Sequence, residues 1–257
     1  MRRGLALVAL AGAALLGAQG MRPGKNVYDL RGRQQDVYYY PSARQGQQSL
    51  GPVLFAPGDG GWRGFAITMA GKMAGWGYDV YGLDTKRYLE SFTDGRKTLS
   101  EADVASDFRS LGKWVSPSGG VRLVGWSEGA GLGLLGVADD PDRKTFNGFV
   151  AIGMGEASFL GWRTIDNLTY ITKKDPDEPR FASLPWMLKI APTPFAMIHS
   201  DHDDYTTVEA AKKLFAAARQ PKRWWLIPAR NHRFSGGQEG FFSALRAALE
   251  WTGRGGR

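Results

Sequence analysis

Val121-Arg122-Leu123-Val124-Gly125-Trp126-Ser127-Glu128-Gly129-Ala130 is the stretch whose reading decides the fold. An apolar run, 121–124, leads into the five residues Gly125-Trp126-Ser127-Glu128-Gly129. A run of small and apolar residues, 130–138, follows. This is a G-x-S-x-G pattern set between a predicted strand and a predicted helix, the setting in which the pattern denotes a nucleophile elbow. The chemistry asks for that shape. The serine hydroxyl has to stand exposed on a strained turn with a helix N-terminus behind it, and a Cβ at either flanking glycine would collide with the turn.

Working outward, residues 27–30 and 36–40 read as two short opening strands, followed by a polar Gln/Ser/Gly loop. Residues 53–56 form a buried strand, 65–75 a short amphipathic helix and 78–83 a further strand rich in β-formers. Ser100-Glu101-Ala102-Asp103 resembles a capped helix start, with the helix running to about Trp114. Beyond the elbow come strands at 149–152, 195–199 and 223–227, with helices at 207–219 and 239–252. Strands alternating with helices predict an α/β protein, a mostly parallel sheet with helices on both faces. The order matches the α/β-hydrolase fold. Residues 154–192 break the rhythm with Phe159, Trp162, Tyr170, Trp186 and the polar run 173–180. Unpatterned segments of this length usually have a function, so the expectation is a small cap insertion in one domain, 21–257.

Composition narrows the classes. The chain has 257 residues, 43% of them hydrophobic and 23% charged, which suits one globular domain. Absence of cysteine excludes disulfides, thiol nucleophiles and cysteine-ligated zinc. Arg2 and Arg3 before an apolar stretch, 5–16, with Ala18 and Gly20 behind it, read as a secretory signal peptide, 1–20. An uncleaved anchor is the alternative. Both imply export, and a bacterial periplasm is the expected address. The net charge is +8, and removing residues 1–20 takes away two arginines and leaves +6. A basic exported chain meets anionic partners such as lipid headgroups or cell-wall polymers. No basic helix or RNA-binding motif points to nucleic acid.

A serine nucleophile needs a base, and the base needs an acid to orient it. This fold supplies them in the chain order Ser, Asp or Glu, His. Only three histidines are present. His199 ends an apolar strand, and His202 sits in the turn expected to carry the acid. His232, in Asn231-His232-Arg233-Phe234, follows the last strand, where the base belongs. The acid is expected in Ser200-Asp201-His202-Asp203-Asp204. Counting from the usual His-Gly-x-x-Asp pattern favours Asp203, with Asp201 and Asp204 as alternatives. The same cluster superficially suits a metal, but adjacent residues cannot all converge on one ion, so neither metal nor cofactor is expected. Two amides should form an oxyanion hole: that of Glu128, after the nucleophile, and one from Pro57-Gly58-Asp59-Gly60-Gly61-Trp62, with Asp59 first and Gly60 next. Gly131-x-Gly133-x-x-Gly136 formally matches a dinucleotide fingerprint. Its place inside the helix points instead to close helix packing.

Two segments, Pro57-Gly58-Asp59-Gly60-Gly61-Trp62-Arg63 and Gly82-Leu83-Asp84-Thr85-Lys86-Arg87-Tyr88, together with the elbow and Asn231-His232-Arg233-Phe234, resemble the AcvB/VirJ family of bacterial virulence-associated exported proteins. The likeness spans most of residues 50–250. Thr85 replaces the family's usual serine, and Glu128 stands where the family more often has an apolar residue. The resemblance implies an exported serine hydrolase acting on lysyl-phosphatidylglycerol. Such a site needs carboxylates near a cationic acyl group, for which Asp59, Asp84 and Glu128 are candidates. It also needs basic groups near the phosphate, for which Lys86 and Arg87 are candidates. Trp62, Asp84 and Arg87 are the expected substrate-binding residues. Each has a plainer reading: Glu128 suits a helix N-terminus, Asp84 a side-chain to backbone bond, and Lys86 and Arg87 solvent. A general carboxylesterase and a non-catalytic accessory protein for secretion or virulence are the competing functions.

Overall fold

The structure is a computed structural model describing residues 21–257 apart from residues 45, 142 and 173. The expected signal peptide lies outside the described residues. In chain order the main elements begin with β1 (Gly24–Leu30), β2 (Arg33–Tyr40), β3 (Pro52–Ala56), α1 (Phe65–Gly75), β4 (Asp79–Leu83), α2 (Thr85–Phe92) and α3 (Glu101–Val115). Then come β5 (Val121–Trp126), α4 (Glu128–Ala138) and β6 (Phe146–Ile152). The interruption holds β7 (Ala157–Phe159), a 3-10 turn (Thr164–Leu168), α5 (Thr169–Thr172), β8 (Arg180–Ala182) and α6 (Leu184–Met187). The chain closes with β9 (Phe195–Ser200), α7 (Val208–Ala217), β10 (Lys222–Ile227) and α8 (Gln238–Gly253).

Eight strands form one sheet in the order β1-β2-β4-β3-β5-β6-β9-β10. β1 and β2 pair antiparallel, β2 joins β4 antiparallel, and the pairs from β4 to β10 are parallel. This is the doubly covered α/β sheet that the alternation predicts. The central strands are apolar throughout because both their faces are buried. Leu54 and Ala56 of β3 face one core with Leu123, Phe149 and Met197, and α3 and α4 cover that side. Val53 and Phe55 face the other core with Val124, Val150 and Ile198, under α1 and α8.

The helix start at Ser100 has the expected form. Ser100 Oγ accepts from the Asp103 amide at 3.1 Å, and the Asp103 carboxylate accepts from the Ser100 amide at 2.9 Å. One helix escapes the sequence pattern. α2 opens at Asp84, whose carboxylate accepts from the Arg87 amide at 3.1 Å. It is mostly polar and buries Thr85, Tyr88 and Leu89, too few apolar positions to declare a period.

Residues 154–192 are not a plain loop. β7 and β8 pair antiparallel as a separate ribbon. Trp162 is buried beneath the segment, and Arg163 meets the buried carboxylate of Glu178. The outward side of the 3-10 turn and α5 leaves Ile165, Leu168 and Ile171 exposed.

Candidate active site

The sheet order reverses direction at β3, whose neighbours are β4 on one side and β5 on the other. In such sheets the crevice outside the carboxyl ends of the strands at the reversal is where ligands bind. Two loops meet there, the glycine-rich turn after β3 and the elbow after β5.

Ser127 lies between β5 and α4 with φ 55° and ψ −124°, on the left-handed side that a non-glycine residue avoids. Holding it there costs about 1–3 kcal/mol, so the surroundings must impose it. The Ser127 amide donates to the Ile152 carbonyl at 2.9 Å. The flanking glycines admit the turn. A Cβ on Gly125 would lie 2.4 Å from the Ala130 Cα, and one on Gly129 would lie 2.1 Å from the Ala56 carbonyl oxygen. Gly58 rests on the serine itself, since its Cβ position is 3.0 Å from Ser127 Cβ and 3.4 Å from Oγ.

His232 is only 5% exposed. Its Nδ1 lies 2.6 Å from Asp203 Oδ2. Trp126 stacks on the ring, with centroids 5.7 Å apart, and Tyr205 meets it edge-on at 5.0 Å. Its Nε2 is buried and bonds to no protein atom. Asp203 Oδ1 accepts from the Tyr205 and Thr206 amides at 2.9 and 3.1 Å. Burial pushes the Asp203 carboxyl upward, but the bond to His232, that residue's charge and the two amides outweigh it, leaving it below the usual carboxylate range.

The other two carboxylates of the cluster are used elsewhere. Asp201 accepts from the Ala229 amide at 2.8 Å and bonds His202 Nδ1 at 2.9 Å. Among the described residues Asp204 meets only the His232 backbone amide, at 3.4 Å. His199 points into the core with Nε2 3.0 Å from the Thr206 carbonyl, and burial lowers its pKa. His202 is exposed. These side chains diverge rather than converge on one point.

Glu128 opens α4, and a first-turn amide has no carbonyl within its own helix. The Asp59 amide donates to no described partner, while the Gly61 amide closes the turn onto the Gly58 carbonyl at 3.1 Å. The Gly60 amide is directed at the Asp59 carboxylate.

Two carboxyl groups share this corner. Burial, and then the charge of Asp59, push the Glu128 carboxyl up to about 8 although the Phe159 amide and the Ser158 hydroxyl bond to it. Burial also raises Asp59. Among the described residues no Lys, Arg or His lies within ion-pair distance of either.

An open cleft of about 370 Å³ adjoins the glycine turn, lined by Gly60, Trp62, Arg63, Asp84, Lys86 and Arg87 among others. Ser127 and His232 do not line it, so this cleft lies beside the candidate chemistry rather than over it. The three residues expected to bind substrate do meet here, but their groups are engaged. Trp62 stacks on Tyr38 at 4.9 Å, and its ring fills the space where Gly82 has no side chain. Asp84 caps α2, and Arg87 pairs with Asp36 at 3.3 Å. Lys86 reaches Asn167 of the insertion at 2.5 Å. Tyr170 donates to the Asp59 carbonyl at 3.0 Å, tying the insertion to the glycine turn. Neither Tyr170 nor Tyr205 carried a local signal of its place at the site.

Residues 52–142 match the family model described as bacterial virulence protein (VirJ). No curated protein sequence matches the chain. Among solved structures, the α/β hydrolase GrgF of Penicillium sp. sh18 superposes with a TM-score of 0.67 at 15% identity, covering 90% of this chain and 98% of that one. Est1E of Butyrivibrio proteoclasticus gives 0.66 at 11%, covering 89% and 98%. A soluble variant of the monoglyceride lipase of Saccharomyces cerevisiae gives 0.59 at 13%, covering 93% and 97%. The fold is that of the α/β hydrolases, and the resemblance seen in the sequence holds over the segment from β3 to α4.

Proposed function

From a VirJ-type segment carried on an α/β-hydrolase fold, we infer that the protein is an exported serine hydrolase that cleaves an aminoacyl ester borne by an anionic phospholipid, of the lysyl-phosphatidylglycerol type. The observation that carries this reading is His232, held at Nδ1 by buried Asp203 and stacked on Trp126 next to a serine on a strained elbow, its buried Nε2 without a partner among the described residues.

Ser127 Oγ attacks the ester carbonyl carbon as His232 Nε2 takes its proton. The Asp59 and Glu128 amides receive the oxyanion. Collapse of the tetrahedral adduct breaks the bond to the lipid alcohol, which takes the proton from His232 and leaves an acyl ester on Ser127. Water then gives a proton to Nε2 and attacks that ester. The second collapse frees the amino acid and returns the proton to Ser127. Asp203 holds the ring in the required tautomer and stabilises the imidazolium.

The acyl group follows from charge. Asp59 and Glu128 are half-buried carboxyls with no cation within ion-pair distance among the described residues, an arrangement that a substrate ammonium would complete. Export by residues 1–20 and contact with a membrane surface belong to the same reading. The test is to present the mature protein and its Ser127→Ala variant with lysyl-phosphatidylglycerol in mixed micelles. Free lysine from the first and none from the second is the expected result. Fluorophosphonate labelling of Ser127 without lysine release would withdraw the lipid and leave a general esterase.

A further inference from the structure

The cleft beside the glycine turn is lined by three cations and by the carboxylates of Asp36, Asp84 and Glu90. Arg87 is paired with Asp36 at 3.3 Å, and Lys86 is bonded to Asn167 at 2.5 Å with Glu90 at 3.8 Å. Arg63 is different. It is exposed and lines the cleft, and among the described residues no carboxylate lies within ion-pair distance of it. Its position is set from both sides. The Arg63 amide donates to the Gly61 carbonyl at 3.0 Å, and the Arg63 carbonyl accepts from the Ala66 amide at 3.1 Å. The guanidinium lies against Gly60, with Nη2 and Nε 3.7 and 3.8 Å from the position a Cβ would take there, and faces the Tyr170 ring at 5.9 Å.

Resting on the reading of the site as an ester hydrolase, the structure assigns the cleft to the leaving alcohol, with Arg63 as the residue that holds a phosphodiester on that alcohol. The reach is right. Gly58 touches Ser127, and Gly60 lies two residues on, at most about 7 Å along the chain. In an ester on the terminal hydroxyl of glycerophosphoglycerol the phosphorus is six bonds from the attacked carbon, roughly 7 Å. A planar guanidinium matches two phosphodiester oxygens at once. The acyl side then offers the Asp59 and Glu128 carboxyls, and the alcohol side a guanidinium that no carboxylate among the described residues holds. A neutral ester gains nothing from the second.

The test uses two water-soluble lysyl esters that lack fatty chains, one of glycerol and one of glycerophosphoglycerol, so that no membrane is involved. The quantity read is the ratio of kcat/KM, diester over neutral. Arg63→Gln is expected to lower that ratio about 10–100-fold, the worth of a charge-assisted bond. Arg63→Lys is expected to retain part of it. Arg246→Gln removes the same charge on α8, away from the cleft. A ratio lowered no further by Arg63→Gln than by Arg246→Gln overturns the assignment. If the native protein cleaves neither ester, it is the hydrolase reading that fails. Calorimetry on the Ser127→Ala protein then decides the cleft separately. Saturable binding of glycerophosphoglycerol that Arg63→Gln abolishes and Arg246→Gln spares supports the assignment. Equal binding in both variants, no binding at all, or tighter binding of inorganic phosphate overturns it.

Discussion

Asp203, in the turn after β9, and Glu128, at the start of α4, are acids that their surroundings push in opposite directions. Asp203 is held ionised by His232 and two amides. Asp203→Asn should therefore lower kcat about 10²–10⁴-fold with little change in KM, because the ring loses the partner that fixes its tautomer. Asp201→Asn, which alters a bond to Ala229 and His202 instead, should stay within about tenfold. Steady-state kinetics of the two variants separates them, and equal losses would remove Asp203 from its proposed role. Glu128 is raised from 4.5 to about 8. Between those values the folded state holds a proton that the unfolded state has released, so this residue makes stability fall as pH rises across that window. Glu128→Gln should match the native protein near pH 4 and exceed it by an amount on the order of 5 kcal/mol at pH 9. Urea unfolding at the two pH values reads the difference. A gap that did not change with pH would mean that Glu128 is ionised in the fold.

Among the elements, α4 shows how glycine serves packing. A Cβ on Gly136 would lie 2.5 Å from Phe108 Cβ on α3, and one on Gly131 would lie 1.8 Å from Ser158 Oγ on β7. The Gly131-x-Gly133-x-x-Gly136 pattern is thus a contact stripe buried in the protein, as its position in the sequence implied. Gly136→Val should destabilise the protein by about 1–3 kcal/mol, or more if α3 cannot yield, because both helices are covered by the core. In a chain of this size that lowers Tm by roughly 2–12 °C, readable by calorimetry. An unchanged Tm would show that α3 and α4 slide apart without cost. The insertion works as an element too. Its Asn167 and Tyr170 reach Lys86 and the Asp59 carbonyl, so one short segment touches both the cleft and the glycine turn.

For the whole molecule, charge is the property that acts at a distance. With 33 Lys and Arg against 25 Asp and Glu, the chain has a net positive charge at neutral pH. Attraction of this kind fades as the Debye length shrinks from about 10 Å at 0.1 M salt to 3 Å at 1 M. Sedimentation with phosphatidylglycerol vesicles should retain the mature protein at low salt and release most of it near 1 M, while neutral vesicles retain little at either. Salt-independent retention would point to an apolar contact instead, and the exposed Ile165, Leu168 and Ile171 would be the place to look for it.

Local pattern alone determined the elbow, the class of the fold and the succession of elements along the chain, while the order of strands in the sheet came from the tertiary structure. Each depends on residues close together in the chain: the glycines flanking Ser127, the short unbroken apolar runs of the central strands and the capping box at Ser100. The span of α1, 65–75, was legible to the residue because an apolar face recurs along it. Strand ends grew by a few residues, because ladder bonds to neighbouring strands decide where a strand stops. α2 was invisible because its stability comes from burying Tyr88 and Leu89 under other elements, not from a periodic face. Counting along the loop favoured Asp203 over Asp201 and Asp204, but adjacent carboxylates look alike in sequence. Only the folded turn, with its amides on Asp203 and His232 brought from 29 residues away, separates them. The same holds for the charges. Asp84, Arg87 and Arg63 all read as charged surface residues in the sequence, and tertiary structure occupied the first two and left the third without a carboxylate partner among the described residues. Partners distant in the chain are set by how the sheet and helices pack, and no local pattern records that.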